Sequence, residues 1–233
     1  MRALFILCAA LVIFAFLYIN AVIDEPQRAH RSELKLLPSE MADVFHSRKL
    51  IWVNLGGFIS NFFQVGVFVI LPILTSRYRA MSDFWELIVP MVVIGTVIML
   101  WGSHRADAGH ARQMTCLAFI FLALSSLAFF VPAYNELNNE GNFYLLIVSG
   151  VLFFAGFSLT QPLLSAGITK LAIEQRVGAT SGVYNMSQNL GTFFGGLLGG
   201  AFLTNHLGVF LVIMGILGLW GAVVVSGAIS TEA

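Results

Sequence analysis

Within the long apolar runs of this sequence, the side chains able to do chemistry are neutral amides and hydroxyls, not acids, bases or nucleophiles. Asn54, Asn61 and Gln64 follow one another at seven and then three residues, which places them on one face of a helix. Gln161 stands directly before Pro162. A proline there frees a backbone carbonyl one turn earlier and commonly bends a helix where it lines a cavity. Tyr184, Asn185, Gln188 and Asn189 form a third cluster near one end of their helix. Such groups bind and release a solute through hydrogen bonds, or they bond one helix to another. Both uses remain open from the residues alone, because polar side chains in hydrocarbon turn to the bundle interior or to a wet cavity.

Covalent chemistry has no comparable support. No Asp, Glu, Lys or Arg lies deep in an apolar run, and Glu86, which comes nearest, sits where it can snorkel to the interface. Ala179-Thr180-Ser181-Gly182 resembles a serine-hydrolase turn only loosely, and His206 lies about 35 Å away along the same helix. The five histidines fall in connectors or at span edges, and Cys8 and Cys116 read as small apolar packers. No catalytic residue, metal site or cofactor is expected, and the chain is not read as an enzyme.

The elements that position these residues follow from composition. Hydrophobic residues make up 58% and charged residues 10%, and the mean hydropathy is +0.86. A water-facing domain carries roughly 25% charged residues, so this chain cannot cover a soluble surface. The zero net charge gives no general attraction to nucleic acid. Apolar blocks of about 20 residues, each enough to cross a bilayer, are expected at 3–23, 49–75, 84–101, 113–133, 143–168, 179–204 and 208–228. The first continues into Asp24-Glu25-Pro26 without a small-residue cleavage site and is read as a retained helix. The expected organisation is a lone transmembrane helix at 1–23, a charged linker at 24–48 and a six-helix bundle at 49–233.

Nine Lys and Arg fall in three alternate connectors: Arg28, Arg31, Lys35, Arg48 and Lys49; Arg105 and Arg112; Lys170 and Arg176. Only Arg2, Arg77 and Arg79 fall on the other side. Basic residues are retained on the cytoplasmic side, so the N-terminus is expected outside and the C-terminus in the cytoplasm.

Gly191, Gly195 and Gly199 recur every four residues with Gly196 and Gly200 beside them, a groove in which a second backbone can approach closely. They close a longer pattern. From Phe153 to Leu203 the sequence reads FFAGFSLTQPLLSAGITKLAIEQRVGATSGVYNMSQNLGTFFGGLLGGAFL. It resembles helices ten and eleven of bacterial major facilitator superfamily transporters: a bent helix, a short turn ending in Arg176-Val177-Gly178, then Gly182-Val183-Tyr184-Asn185 and a glycine ladder. The flavour is that of the YajR-like, drug:proton antiporter-type branch, whose pattern usually has Glu where Gln161 stands and its Pro three residues after Pro162. The connector at 102–112 is similar to the family's G-x-L-x-D-R-x-G-R-R motif. It keeps Gly102 and Gly109, with Asp107 one place late and Arg112 among scattered basic residues.

The resemblance implies an all-α membrane protein of seven transmembrane helices, equivalent to helix six plus the C-terminal bundle of helices seven to twelve. It further implies alternating-access transport of a small organic solute, with proton-coupled efflux as the type, in a bacterial inner membrane. Asn54, Asn61, Gln64 and Gln161 would line the central cavity. Pro162, Gly178, Gly182, Tyr184, Asn185, Gln188, Asn189 and the ladder glycines would serve gating or packing. The partners would be the lipid bilayer, the solute, protons and an N-terminal half that completes the pathway. The rival expectation is a non-transporting seven-helix protein, either a self-assembling subunit or an inactive fragment. A retinal-binding receptor would need a Lys in the last span, and 208–228 has none.

Overall fold

The computed structural model describes residues 2–22, 47–80, 84–134, 140–172, 177–203 and 206–229. Most of the expected linker, 24–46, and Arg176 of the turn lie outside the described residues. The chain divides into two units, Met1–Leu37 and Pro38–Ala233. In the first, α1 (Arg2–Val22) is one apolar helix with Phe14 stacked on Tyr18.

Among the described residues the second unit holds six helices: α2 (Arg48–Ser76), α3 (Phe84–Arg105), α4 (Ala111–Tyr134), α5 (Glu140–Leu171), α6 (Val177–Phe202) and α7 (Leu207–Ala228). Four described stretches are long and apolar enough to cross a membrane: Arg48–Ser76, Phe84–Tyr134, Glu140–Leu171 and Leu207–Ala228. Phe84–Tyr134 is α3 and α4 joined end to end, 51 residues with a break between them. α6 is the least apolar of the six because Gly, Ser, Thr, Asn and Gln occupy much of it.

The bundle has two layers. α5 and α2 lie side by side in the middle of the front layer, with α3 packed on α5 and α6 on α2. Behind them α4 packs on α5, and α7 packs on both α4 and α2. Phe63, Phe119, Phe129, Phe153 and Phe210 are fully buried between the layers. Several hydroxyls in this interior turn back onto their own helices, as with Thr75 to the Leu71 carbonyl and Ser149 to the Leu145 carbonyl. That satisfies them where no water can.

Glycines set the closest approaches. A Cβ on Gly191 would collide with the carbonyl oxygen of Phe58, and one on Gly195 would lie 2.5 Å from that of Phe62. Gly199 faces the Gly66 Cα. The ladder therefore meets α2 of its own bundle, backbone to backbone.

The α3–α4 connection is shorter than expected. α3 runs on to Arg105 and α4 restarts at Ala111, leaving a break at Ala106–His110. Its pivot is Gly109, at φ 90° and ψ 4°. A side chain there would meet nothing within 4 Å, so the demand for glycine is conformational and not steric. L-residues at such a φ cost roughly 1–2 kcal/mol. Gly109→Ala is expected to lower the melting temperature of the detergent-solubilised protein by a few degrees, while Gly178→Ala, in a helix with open space around it, leaves it unchanged or higher. Equal melting of the two variants would show that the break does not depend on this backbone geometry.

Candidate functional site

The front faces of α2, α5 and α6 meet in a polar seam. At its centre Ser60 and Thr160, both fully buried, hold their hydroxyl oxygens 2.6 Å apart. Thr160 spends its proton on the Phe157 carbonyl at 2.8 Å. A carbonyl only accepts and a hydroxyl has one proton to give, so Ser60 is the donor to Thr160. The Ser60 oxygen is then left to accept, and Gln161 Nε2 donates to it at 3.4 Å. Gln161 Oε1 in turn accepts from Gln188 Nε2, also at 3.4 Å, and Gln188 reaches the Tyr184 hydroxyl at 3.2 Å. The result is a directed chain from α6 through α5 to α2 in which Gln161 is the middle member. The short bond anchors it, and the two long ones leave the amides room to re-pair with a solute or water.

Local sequence places each member. Ser60, Thr160 and Gln161 face one another because α2 and α5 run side by side in the front layer. Tyr184 is 4% exposed and lies on Gly57, where a Cβ would stand 2.5 Å from the ring. The absent side chain at Gly57 is what seats the tyrosine against α2.

A second polar group lies along the same α2–α6 contact. Asn54 Nδ2 donates to the Leu50 carbonyl at 2.8 Å, and Ser187 Oγ donates to the Asn54 carbonyl at 2.8 Å. Asn54 Oδ1 is buried without a partner among the described residues. It borders an apolar pocket of about 280 Å³ with Leu55, Val183, Met186 and Leu190. Asn61 is half-buried and donates to the Gly57 carbonyl at 3.0 Å. Gln64 is half-buried on the same side of α2.

The remaining residues singled out in the sequence are spread. Asn185 and Asn189 are exposed on the outer side of α6, one position round from inward-facing Tyr184 and Gln188. Pro162 is half-buried within α5, which continues to Leu171. Gly178 and Gly182 have open space where a Cβ would project. Gly102 is buried under Leu159 of α5, whereas Asp107 and Arg112 are exposed at the α3–α4 break. The structure adds Gly57, Ser60, Thr160 and Ser187 to the seam. No acidic side chain joins it among the described residues.

Broad apolar faces flank the seam. α3 buries only Leu87, Met91, Gly95 and Gly102. Val89, Val93, Val97 and Trp101 are exposed on it, as are Met186, Leu190, Phe193 and Leu197 on α6.

Spans this apolar around a neutral polar seam define an all-α, multi-pass membrane protein. The chain belongs to the Major Facilitator Superfamily, whose family model matches residues 1–196. It is 26% identical over 192 residues to an "Uncharacterized transporter" of Buchnera aphidicola subsp. Baizongia pistaciae (strain Bp), an alignment covering 78% of this chain and 44% of that protein. It is likewise 26% identical over 170 residues to "Inner membrane transport protein YajR" of Escherichia coli (strain K12), covering 72% of this chain and 36% of that protein. The chain thus aligns with less than half the length of either relative.

Proposed function

We propose that this chain supplies helix six and the C-terminal bundle of a secondary transporter that moves a small organic solute by alternating access, with proton-coupled export as its direction. The observation that carries this reading is the donor–acceptor chain Gln188–Gln161–Ser60–Thr160 on the front of α6, α5 and α2. One end, Ser60–Thr160, is fixed by a short bond, and the two amides Gln161 and Gln188 are half-buried and held by longer ones, which suits reversible binding. The flanking faces of α3 and α6 fit closure against a second, N-terminal half. The relatives' names, both transport proteins, support the same reading. Gln161 is neutral, so the coupling proton in this scheme is carried by an acid of that complementary half. In this scheme the N-terminus is outside and the C-terminus in the cytoplasm of a bacterial inner membrane, a reading supported by the bias of Lys and Arg among the connectors.

The test uses cells stripped of their main efflux systems and loaded with fluorescent organic dyes. The genomic locus with its upstream sequence should lower dye accumulation, a protonophore should cancel that effect, and expression from Met1 alone should leave accumulation high. Full extrusion by the chain expressed from Met1 alone would overturn the need for a second half. Extrusion that survives the protonophore would overturn proton coupling.

A further inference from the structure

We propose that the cleft between α4 and α7, beside the Ala108–Gly109 break, is a binding site for an anionic phospholipid. The cleft holds about 690 Å³, within the range of ligand-sized sites. Its two ends differ in chemistry. At the mouth stand His110, the last residue of the break, and Arg112 and Gln113 on the first turn of α4. Further along the two helices, Leu117 and Ile120 of α4 and the exposed Val223 of α7 give the cleft apolar walls.

Packing explains why the space exists. α7 is pressed against α4 at Gly218, where a Cβ would lie 2.9 Å from the Ala123 backbone, and again at Gly221 against the Phe119 ring. Next to these contacts the cleft wall of α7 is built from Ala222 and Ser226, too small to fill the gap. Ser226 turns its hydroxyl onto the Ala222 carbonyl of its own helix, so it adds no polarity to the walls. The glycine-centred break at Ala106–His110 keeps the entrance from being roofed by a continuous helix.

Charge selects the occupant. Arg112 is exposed and makes no hydrogen bond or ion pair among the described residues. His110 holds its Nδ1 3.1 Å from the Ala108 carbonyl, which leaves the other ring nitrogen for a ligand. Asp107 is the one carboxylate of the break, and it does not line the cleft. A basic mouth at the membrane boundary above an apolar slot matches a phosphate headgroup with its acyl chain running down between the helices. Basic pockets between transmembrane helices bind anionic headgroups on this principle. A soluble anion would leave the slot empty, and a zwitterionic lipid would leave Arg112 unneutralised.

The site is tested by native mass spectrometry of the protein purified in mild detergent with phosphatidylglycerol or phosphatidylcholine added, alongside melting curves. The wild type should retain and be stabilised by phosphatidylglycerol. Arg112→Gln should weaken retention about fivefold, the effect expected for one basic contact. Ser226→Phe, which fills the slot without changing charge, should also lose it, and Arg79→Gln, away from the cleft, should not. Unchanged retention in Arg112→Gln overturns the proposal even if Ser226→Phe fails to fold. So does equal retention of phosphatidylcholine, or an equal melting shift with inorganic phosphate alone.

Discussion

Gly195→Ala is expected to cost the bundle about 2–3 kcal/mol, the upper range for forcing a methyl into a packed interior. The size follows from what the new Cβ meets. Its neighbour, 2.5 Å away, is the backbone oxygen of Phe62, which belongs to a helix and cannot swing aside as a side chain would. α6 as a whole must move off α2. In a bilayer the attraction between these helices comes mainly from close van der Waals contact, since lipid tails compete for any apolar surface. The intrinsic gain of Ala over Gly in a helix, about 1 kcal/mol, does not offset that loss. Gly191→Ala, facing the Phe58 carbonyl, should behave the same way. Gly200→Ala lies one position round from Gly199 with open space before it, and it should be neutral or stabilising. Melting in detergent and monodisperse yield read the contrast. Equal behaviour at Gly195 and Gly200 would mean that the backbones are not in contact. Moving α6 would also break the Ser187–Asn54 bond and carry Gln188 away from Gln161. Function should therefore fall with stability at 191 and 195 and be spared at 200.

The ladder also shows what a sequence reveals and what it withholds. Three glycines at four-residue spacing announce a close approach, but the approaching helix is chosen by packing of the whole bundle, and it proved to be α2. The helices themselves were legible because a span must be long and apolar, whatever its neighbours. The expected 84–101 and 113–133 became Phe84–Arg105 and Ala111–Tyr134 because helix geometry continues through polar residues at the membrane boundary until Gly109 stops it. The polar clusters were legible as clusters, though not by orientation. Tyr184 and Gln188 point inward while Asn185 and Asn189 stay exposed, a difference of one 100° step that composition does not resolve. Ser60 and Thr160 escaped notice since hydroxyls are ordinary in spans and usually bond their own helix. Only the tertiary pairing of α2 with α5 makes these two a unit.

Gln161→Ala should cut dye extrusion by roughly ten- to a hundredfold, about 1.4–2.8 kcal/mol, while leaving melting and yield unchanged. The amide is half-buried and bonded only through long contacts, so its removal takes little from the fold. It does remove the member that both accepts from Gln188 and donates to Ser60. Ser60 then keeps its bond to Thr160, and Gln188 falls back on Tyr184 alone. Gln161→Glu separates shape from charge. A protonated carboxyl can still donate to Ser60 and accept from Gln188; a carboxylate can only accept. Extrusion by Gln161→Glu should therefore approach wild type at acid pH, where the carboxyl is protonated, and decline as rising pH converts it to the carboxylate. The wild type, with an amide that does not titrate, should lack this added decline. Wild-type extrusion by Gln161→Ala would remove Gln161 from the pathway and leave the seam as a helix-to-helix bond. A flat profile for Gln161→Glu at wild-type level would show that the donor function at this position is not used.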